Sequence, residues 1–234
     1  MQTTVAVVGA GRMGSVVAAQ IPASTRTIVI DRNIDKARRL AERIGGTAAD
    51  RLTAAAPAQM VFVVLPAPAV EASIAALATI VGSGCMLINM ATAARIDAAL
   101  IGQYTTVTVI DARIIGHAAA ISRGAPGIVV VSGADDDQLA AIRRQLPGFR
   151  EVERGDAGLV ETINTIATTE GLRTAVTVRE KLAALDIPDA WIDVAIHTVA
   201  AGITRAYVAD DLGEFARKLA ERLIAAHRRQ SSSG

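Results

Sequence analysis

Short β-branched segments recur along the first two thirds of the chain and alternate with alanine-rich stretches of helical pattern. The strand-like segments are Thr4 to Val8, Thr27 to Ile30, Met60 to Leu65, Met86 to Asn89, Thr106 to Ile110, Ile128 to Val131 and Phe149 to Val152. Parallel neighbours in a sheet need a crossover connection, which is usually a helix. The alternation therefore predicts an α/β domain, with a doubly wound parallel sheet covered by helices on both faces.

The pattern changes near residue 153. From Ala157 to Leu185 there is no proline and no strand signal, and apolar residues keep a helical spacing, which predicts one long helix. Further helices are expected to start at Pro188 and to run from about Leu212 to His227. We therefore predict a sheet domain over residues 1–153, a short all-helical domain over 154–230 and a flexible tail over 231–234.

Composition narrows the classes of partner. Hydrophobic residues make up 51% of the 234 residues but aromatic residues only 3%, so the core must be aliphatic. The formal net charge is +1, with both signs interspersed, so no large single-sign field is expected to bind nucleic acid or an anionic membrane. No apolar stretch is long enough to span a bilayer. We expect a small-molecule substrate and no metal site, because the few histidines and the cysteine lack metal-ligand spacing.

The single cysteine indicates the compartment. Cys85 lies in an apolar run, which excludes an internal disulfide framework and predicts a buried free thiol. The chain also enters a strand pattern after three residues, without a signal segment. We therefore expect a cytoplasmic location.

A glycine-rich turn links the first strand to the following helix. In Gly9-Ala10-Gly11-Arg12-Met13-Gly14, the first glycine permits a tight turn, the second lets the backbone approach a pyrophosphate, and the third allows close packing of helix on strand. The anion then lies at the helix N-terminus. Strand, turn and helix follow in the order that a dinucleotide-binding Rossmann domain requires.

The end of the second strand bears on the choice of cofactor. Asp31 is expected to bind the adenosine ribose hydroxyls, which favours NAD because a carboxylate repels a 2′-phosphate. Arg32 follows directly and is able to bind that phosphate or to stack on the adenine. The pair leaves NAD and NADP both open.

With these motifs in order, the sequence resembles the β-hydroxyacid dehydrogenase superfamily, which includes 6-phosphogluconate and 3-hydroxyisobutyrate dehydrogenases and imine reductases. The resemblance covers most of residues 3–170. Besides the glycine turn with Arg12 and Met13, it rests on Val63-Val64-Leu65-Pro66, Leu87-Ile88-Asn89-Met90-Ala91-Thr92 and Asp111-Ala112-Arg113-Ile114-Ile115-Gly116-His117. It implies that Leu65, Pro66, Asn89 and Thr92 flank a nicotinamide and that Ile114 to His117 face the substrate, where Ile115 replaces a substrate-binding serine.

The same resemblance reaches the long helix, where the family's lysine is replaced. Glu161 occupies the position of the catalytic lysine, Asn164 keeps the first of two asparagines, and Thr165 replaces the second. An ionised glutamate repels a substrate carboxylate, whereas imine reductases commonly carry an aspartate or tyrosine at this position. This implies hydride transfer to a C=N or C=O bond, with Glu161 as proton donor or cation stabiliser. Asn164 and Thr165 would orient the substrate or cofactor, and His117 is a second candidate acid.

Two alternatives stay open at this point. The chain is either a hydroxyacid dehydrogenase that oxidises or reduces alcohols and ketones with its lysine role moved elsewhere, or a non-catalytic dinucleotide sensor or scaffold. Lys181 is a poor replacement, since it lies roughly 30 Å from Glu161 along the same helix. Because the helical domain is too small to cover its own apolar residues, we also expect a homodimer formed through that domain.

Overall fold

A computed structural model describes residues 2–94, 96 and 102–231, and the side chains of 230 and 231 are not described. By compactness the chain divides into residues 1–165 and 166–234, and the division falls within one long helix. The two units are described separately below.

The first unit is built on one sheet of eight strands in the order β3-β2-β1-β4-β5-β6-β7-β8. The strands β1 to β8 are Thr4–Val8, Arg26–Ile30, Thr47–Ala49, Met60–Val63, Met86–Asn89, Thr108–Ile115, Ile128–Ser132 and Glu151–Arg154. All neighbouring strands are parallel except β6 and β7. From β1 the chain adds β2 and β3 toward one edge of the sheet, and it then adds β4 to β8 toward the other edge. This is the arrangement of the doubly wound Rossmann fold, and the predicted fold class is confirmed.

Helices cover both faces of this sheet. They are α1 (Arg12–Gln20), α2 (Ile34–Ile44), α3 (Ala67–Ala78), α4 (Ala118–Ile121) and α5 (Asp136–Gln145), with a 3₁₀ turn at Leu52–Ala55. Successive side chains of a strand point to opposite faces of the sheet, so neighbouring residues of β1 lie in different cores. Val5 and Val7 pack with α1, α2, α4 and α5, whereas Ala6 and Val8 pack with α3 and the 3₁₀ turn. The cores are aliphatic apart from a few residues such as Phe62, as the composition predicts.

The sheet differs from the prediction in several respects. Strand β4 ends at Val63 and not at Leu65, and β8 covers Glu151–Arg154 and not Phe149 to Val152. Strand β3 was not predicted, since Thr47–Ala49 is too short to show a period. Strand β6 continues to Ile115, five residues beyond the predicted end, because Asp111 and Arg113 interrupt the apolar run without interrupting the strand. Strand β7 is antiparallel to β6, so the expectation of a wholly parallel sheet is wrong at this edge. The connection from Gly116 to Gly127 contains only the single-turn helix α4, so it supplies no full helical crossover.

The second unit is helical among its described residues. It receives the end of α6 (Leu159–Ala183), followed by α7 (Asp189–Val194), a π-helical segment (Ala195–Ala200), α8 (Ala201–Val208) and α9 (Glu214–Ser231). Helix α6 agrees with the predicted long helix, and Pro188 precedes α7 as predicted. Ser231 is the last residue of α9, and the rest of the expected tail, 232–234, lies outside the described residues.

Candidate functional site

The turn after β1 is closed around two of its three glycines. Gly9 has a φ of +108°, and a Cβ there would lie 2.3 Å from the Val64 carbonyl oxygen. A Cβ on Gly14 would lie 1.8 Å from the Gly9 carbonyl oxygen. These two positions therefore require glycine for reasons of backbone packing.

Gly11 differs from its two neighbours in the turn. A Cβ on Gly11 would meet nothing within 4 Å, so open space adjoins its backbone. The residue is the N-cap of α1, without a side chain to cap the first helical N–H groups. Free N–H groups and the helix dipole together favour an anion at such a helix start. Among the neighbouring candidates, Arg12 is exposed, while half-buried Met13 packs against the core.

Asp31 holds this turn from the end of β2. The backbone N–H of Ala10 donates to its Oδ2 at 2.7 Å, and the N–H of Asn33 donates to its Oδ1 at 2.9 Å. Both carboxylate oxygens thus bind the main chain, a use that the sequence did not predict. Arg32 is exposed and makes no ion pair within the described part of the chain.

Leu65 and Pro66 stand beside the glycine turn. The Leu65 Cδ2 lies 3.2 Å from the position of a Cβ on Gly9. Exposed Pro66 is the N-cap of α3, and the backbone N–H of Val64 donates to the Val8 carbonyl at 2.8 Å. The end of β4 is therefore fixed against the end of β1, at the carboxyl edge of the sheet where Rossmann domains bind ligands.

Asn89 belongs to a buried polar network at the end of β5. Its amide Nδ2 donates to Asp111 Oδ1 at 2.7 Å, and its Oδ1 accepts from the N–H of Ala91 at 3.0 Å. Arg113, which is 3% exposed, donates to the carbonyls of Thr92 and Ala94 and pairs with Asp111 at 3.2 Å. Asn89 thus shapes the segment that carries Thr92, which is half-buried.

Arg113 and Asp111 belong to this network, although the sequence analysis gave neither residue a role of its own. A signal was present, because a charged side chain between Ala112 and Ile114 in a buried strand must find partners. The arginine Nε is buried without a hydrogen-bond partner among the described residues. The remaining guanidinium donors hold the chain that follows β5.

The start of α6 is anchored to the sheet by side-chain hydrogen bonds. Ser132 donates to the Gly155 carbonyl at 2.6 Å and accepts from the N–H of Ala157 at 2.8 Å. Seven residues after Ala157, the Asn164 Nδ2 donates to the Ile114 carbonyl at 2.9 Å. This bond brings the first turns of α6 to the end of β6, two residues before Gly116 and three before His117.

The other candidate residues on α6 lie close to this anchor. Glu161 is half-buried in the first turn and accepts no hydrogen bond from a described residue. Thr165 is exposed, and so is His117, which is the N-cap of α4 without a side-chain capping bond. The structure therefore brings Asn164 to the segment from Ile114 to His117, and it fixes Glu161 on the same helical turn.

Cys85 lies apart from these groups. The side chain is 2% exposed, and burial raises the pKa of its thiol to about 12. The thiol is therefore protonated at neutral pH, and it is buried as the sequence predicted. Among the described residues, no group of three or more potential ligand side chains converges on a metal site, and no helix has the length and apolar character needed to cross a membrane.

A family match covers the first part of the chain. Residues 4–92 match the family described as NADP oxidoreductase, coenzyme F420-dependent, a stretch that includes the glycine turn, Asp31, Leu65, Pro66, Asn89 and Thr92. No curated protein matches the chain significantly.

Three solved structures show how far the fold is shared. A pyrroline-5-carboxylate reductase from Coxiella burnetii has a TM-score of 0.71 and 15% identity, covering 100% of this chain and 92% of its own. A 3-hydroxyisobutyrate dehydrogenase from Salmonella typhimurium has a TM-score of 0.66 and 22% identity, and the match covers 90% of this chain and 80% of the dehydrogenase chain. A reductive aminase from Aspergillus terreus has a TM-score of 0.64 and 20% identity, and the match covers 89% of this chain and 75% of the aminase chain. The chain therefore has the fold of these oxidoreductases, and its first strands match an NADP oxidoreductase family.

Proposed function

We propose that the chain is an NAD(P)-dependent oxidoreductase that reduces a C=N or C=O bond of a small molecule. The observation that carries this proposal is the turn from Gly9 to Gly14, in which Gly9 and Gly14 are packed against backbone atoms while an opening adjoins Gly11. That opening faces the uncapped start of α1, where a pyrophosphate is stabilised. The matched family, whose description names NADP, supports the same cofactor class.

The residues around the turn fit a dinucleotide. The backbone at Gly11 and the first turn of α1 would hold the pyrophosphate. Leu65 and Pro66 at the end of β4, with the segment from Asn89 to Thr92, would flank the nicotinamide. When bound, the reduced cofactor supplies a hydride. The chain itself has to bind the substrate, exclude water and manage charge or protons at the reacting bond.

Glu161 is the group proposed to act on the substrate. It lies in the first turn of α6, and a helix N-terminus favours a carboxylate. A carboxylate stabilises the positive charge of a protonated C=N bond, so for such a substrate the role of cation stabiliser is favoured. A C=O substrate would need Glu161 in its other proposed role, as the donor of the proton that completes the alcohol. Asn164 fixes the turn by its bond to Ile114, while Thr165 and His117 are proposed to orient the substrate.

The test is reduction of a panel of cyclic imines, neutral ketones and small oxo acids, followed by the loss of NADH or NADPH absorbance. We expect turnover with imines or neutral ketones. Glu161→Gln keeps the shape but removes the charge, and it should lower kcat by about 100-fold or more while cofactor affinity stays the same. Glu170→Gln, on the exposed surface of the same helix, is the matched control and should retain activity.

Other outcomes separate the alternatives. Turnover of hydroxy or oxo acids that survives in Glu161→Gln would contradict the role of Glu161. Tight cofactor binding without turnover of any compound would indicate a non-catalytic sensor. Failure to bind either cofactor would overturn the proposal as a whole.

We also infer that the chain forms a homodimer through its second unit. Helices α8 and α9 enclose an apolar groove of about 830 Å³, to which Ile203, Tyr207, Phe215, Leu219 and Leu223 contribute. The same unit exposes apolar side chains on α6, such as Leu172 and Val176. The groove and the exposed side chains on α6 are both apolar. This supports an isologous contact in which each copy covers both surfaces of the other.

A further inference from the structure

A cation is buried near the end of β6, at Arg113. Its side chain is 3% exposed and lies on the same face of the strand as that of Asp111, two residues earlier. The Arg113 Nη2 pairs with Asp111 Oδ2 at 3.2 Å. The other carboxylate oxygen accepts from Asn89, the register partner of Asp111 on β5, at 2.7 Å. One carboxylate of the same strand therefore compensates the buried charge.

The other contacts of the guanidinium are to the main chain beyond the end of β5. Its Nη1 donates to the Thr92 carbonyl at 3.0 Å, and its Nη2 donates to the Ala94 carbonyl at 2.6 Å. Residues 90–94 lie outside the helices and strands, so no periodic hydrogen bonding fixes the path of this segment. A planar guanidinium donates in fixed directions, and a single side chain thereby determines where both carbonyls lie.

Stability alone does not account for an arginine at this position. Burying a cation costs desolvation free energy, and a buried ion pair is often no more stabilising than apolar side chains of similar volume. The flanking residues Ala112 and Ile114 belong to an aliphatic core. The Arg113 Nε also has no hydrogen-bond partner among the described residues, which is a further cost. What the arginine adds is a defined geometry at the end of the neighbouring strand.

The residue after Arg113 holds a second part of the proposed site. The carbonyl of Ile114 accepts from Asn164 Nδ2 at 2.9 Å. Glu161 lies three residues before Asn164 and therefore on the same side of α6. Two consecutive residues of β6 thus hold the segment proposed to flank the nicotinamide and the helical turn that carries Glu161.

We propose that Arg113 is a positioning residue, which places the segment through Thr92 against the nicotinamide and fixes its distance from Glu161. The inference rests on the proposed function and adds a residue that acts through the main chain at Thr92 and Ala94. The pyrophosphate is proposed to bind at the glycine turn, so loss of Arg113 should affect the nicotinamide half of the cofactor. Hydride transfer requires close alignment of donor and acceptor, and a displaced segment should therefore slow it.

The first test compares each cofactor with the same molecule lacking nicotinamide, by titration calorimetry of the full chain. The matched ligands are ADP-ribose for NADH and 2′-phospho-ADP-ribose for NADPH. Arg113→Met should weaken the cofactor by about tenfold and leave the nicotinamide-free ligand within about twofold. Arg113→Lys keeps the charge but loses the planar fork, and it should weaken the cofactor by about threefold. The lysine variant remains informative if the methionine variant fails to fold.

Arg143→Met is the control for removing an arginine that holds a carbonyl. The Arg143 Nε donates to the Val152 carbonyl at 2.6 Å and ties α5 to the edge strand β8. This contact is separate from the segment that follows β5. The variant should therefore leave the affinities for both ligands of each pair within about twofold of the parent chain.

Turnover supplies a second readout that a merely structural role would not change. With a substrate that the parent chain reduces, kcat of Arg113→Met should fall by at least about tenfold. The deuterium isotope effect with cofactor labelled at nicotinamide C4 should rise, because hydride transfer then limits the rate. A smaller fraction of folded protein would lower the measured rate without changing this isotope effect.

The outcomes separate this inference from the proposed function. Equal weakening of the cofactor and its nicotinamide-free counterpart in both Arg113 variants would indicate general damage to the domain and overturn the positioning role. An unchanged kcat and isotope effect would also overturn it, and in either case the proposed function would stand on the turnover of the parent chain. The binding comparison needs no turnover, so it tests Arg113 even in a chain that only binds the dinucleotide. A parent chain that binds neither cofactor would overturn both proposals.

Discussion

Gly11 and Gly14 belong to one turn but have opposite surroundings. A Cβ on Gly14 would lie 1.8 Å from the Gly9 carbonyl oxygen, which is backbone and has little freedom to move. We predict that Gly14→Ala lowers the free energy of unfolding by about 3 kcal/mol, as overpacking does at such sites. Thermal or urea denaturation measures this effect, and a variant as stable as the parent chain would contradict the packing described here.

Gly11→Ala is the matched change in the same turn. A Cβ there meets nothing within 4 Å, so the free energy of unfolding should fall by less than about 1 kcal/mol. If the opening at Gly11 holds a pyrophosphate, the added methyl group should nevertheless weaken both NADH and NADPH. An alanine variant that binds both cofactors normally would show that the opening has another purpose.

The thiol of Cys85 gives a further prediction at this scale. Because burial raises its pKa to about 12 and leaves it 2% exposed, the native chain should not react with a disulfide reagent at pH 8. Unfolding in urea should release one reactive thiol per chain, since the sequence contains one cysteine. Rapid labelling of the native protein would contradict this burial.

Residue positions were easier to predict from sequence than residue partners. Asp31 was expected at the end of β2 because it directly follows an apolar strand. Its bonds to Ala10 and Asn33 depend on how backbone N–H groups are directed in the folded turn, which no hydrophobic pattern records. The role of Arg113 was missed for the same reason, since its partners lie at the end of a neighbouring strand.

At the scale of elements, the attachment of α6 to the sheet is the feature that places the proposed catalytic side chain. Ser132 at the end of β7 bridges Gly155 and Ala157 immediately before the helix. We predict that Ser132→Ala costs about 2 kcal/mol, roughly 1 kcal/mol for each hydrogen bond. Hydrogen exchange should also show faster exchange at the first amides of α6.

Ser122→Ala provides the control for that change. Its exposed hydroxyl, at the C-cap of α4, donates to the Ala118 carbonyl at 2.9 Å, so its loss should cost less than about 0.5 kcal/mol. If the two serine variants are equally stable, the bridge before α6 contributes nothing. Lower kcat in Ser132→Ala with unchanged cofactor affinity would link the bridge to the placement of Glu161.

Element boundaries were predictable where one physical signal dominated. The apolar runs of β1, β2 and β5 mark buried strands, and a long interval without proline marks α6. The reversal of β7 was not predictable from its own residues, because an apolar run packs equally well in either direction. Strand direction is instead decided by the short connection between β6 and β7, which provides no full crossover.

At the scale of the whole molecule, the two units differ in how much apolar surface they cover. The first unit encloses two cores on either side of its sheet, whereas among the described residues of the second unit Ile192 is the one fully buried large side chain. Phe215 and Leu223 on α9 are 78% and 71% exposed. Exposed apolar area on this scale supports the proposed interface, and a formal charge of +1 sets little repulsion between two copies.

The proposed dimer follows from that surface and has a direct test. Light scattering should give a mass near 48 kDa, twice the 24.2 kDa of one chain. Leu219→Glu places a charge in the groove, where desolvation opposes association, and it should give a monomer of lower stability. Arg222→Glu places the same residue on α9 outside the groove and should remain dimeric. Separation of the two copies removes the contact between their second units and leaves the two cores of the first unit intact. The Leu219→Glu monomer should therefore still bind NADPH. A native chain that is monomeric at micromolar concentration would contradict the dimer, and the exposed face would then need another partner.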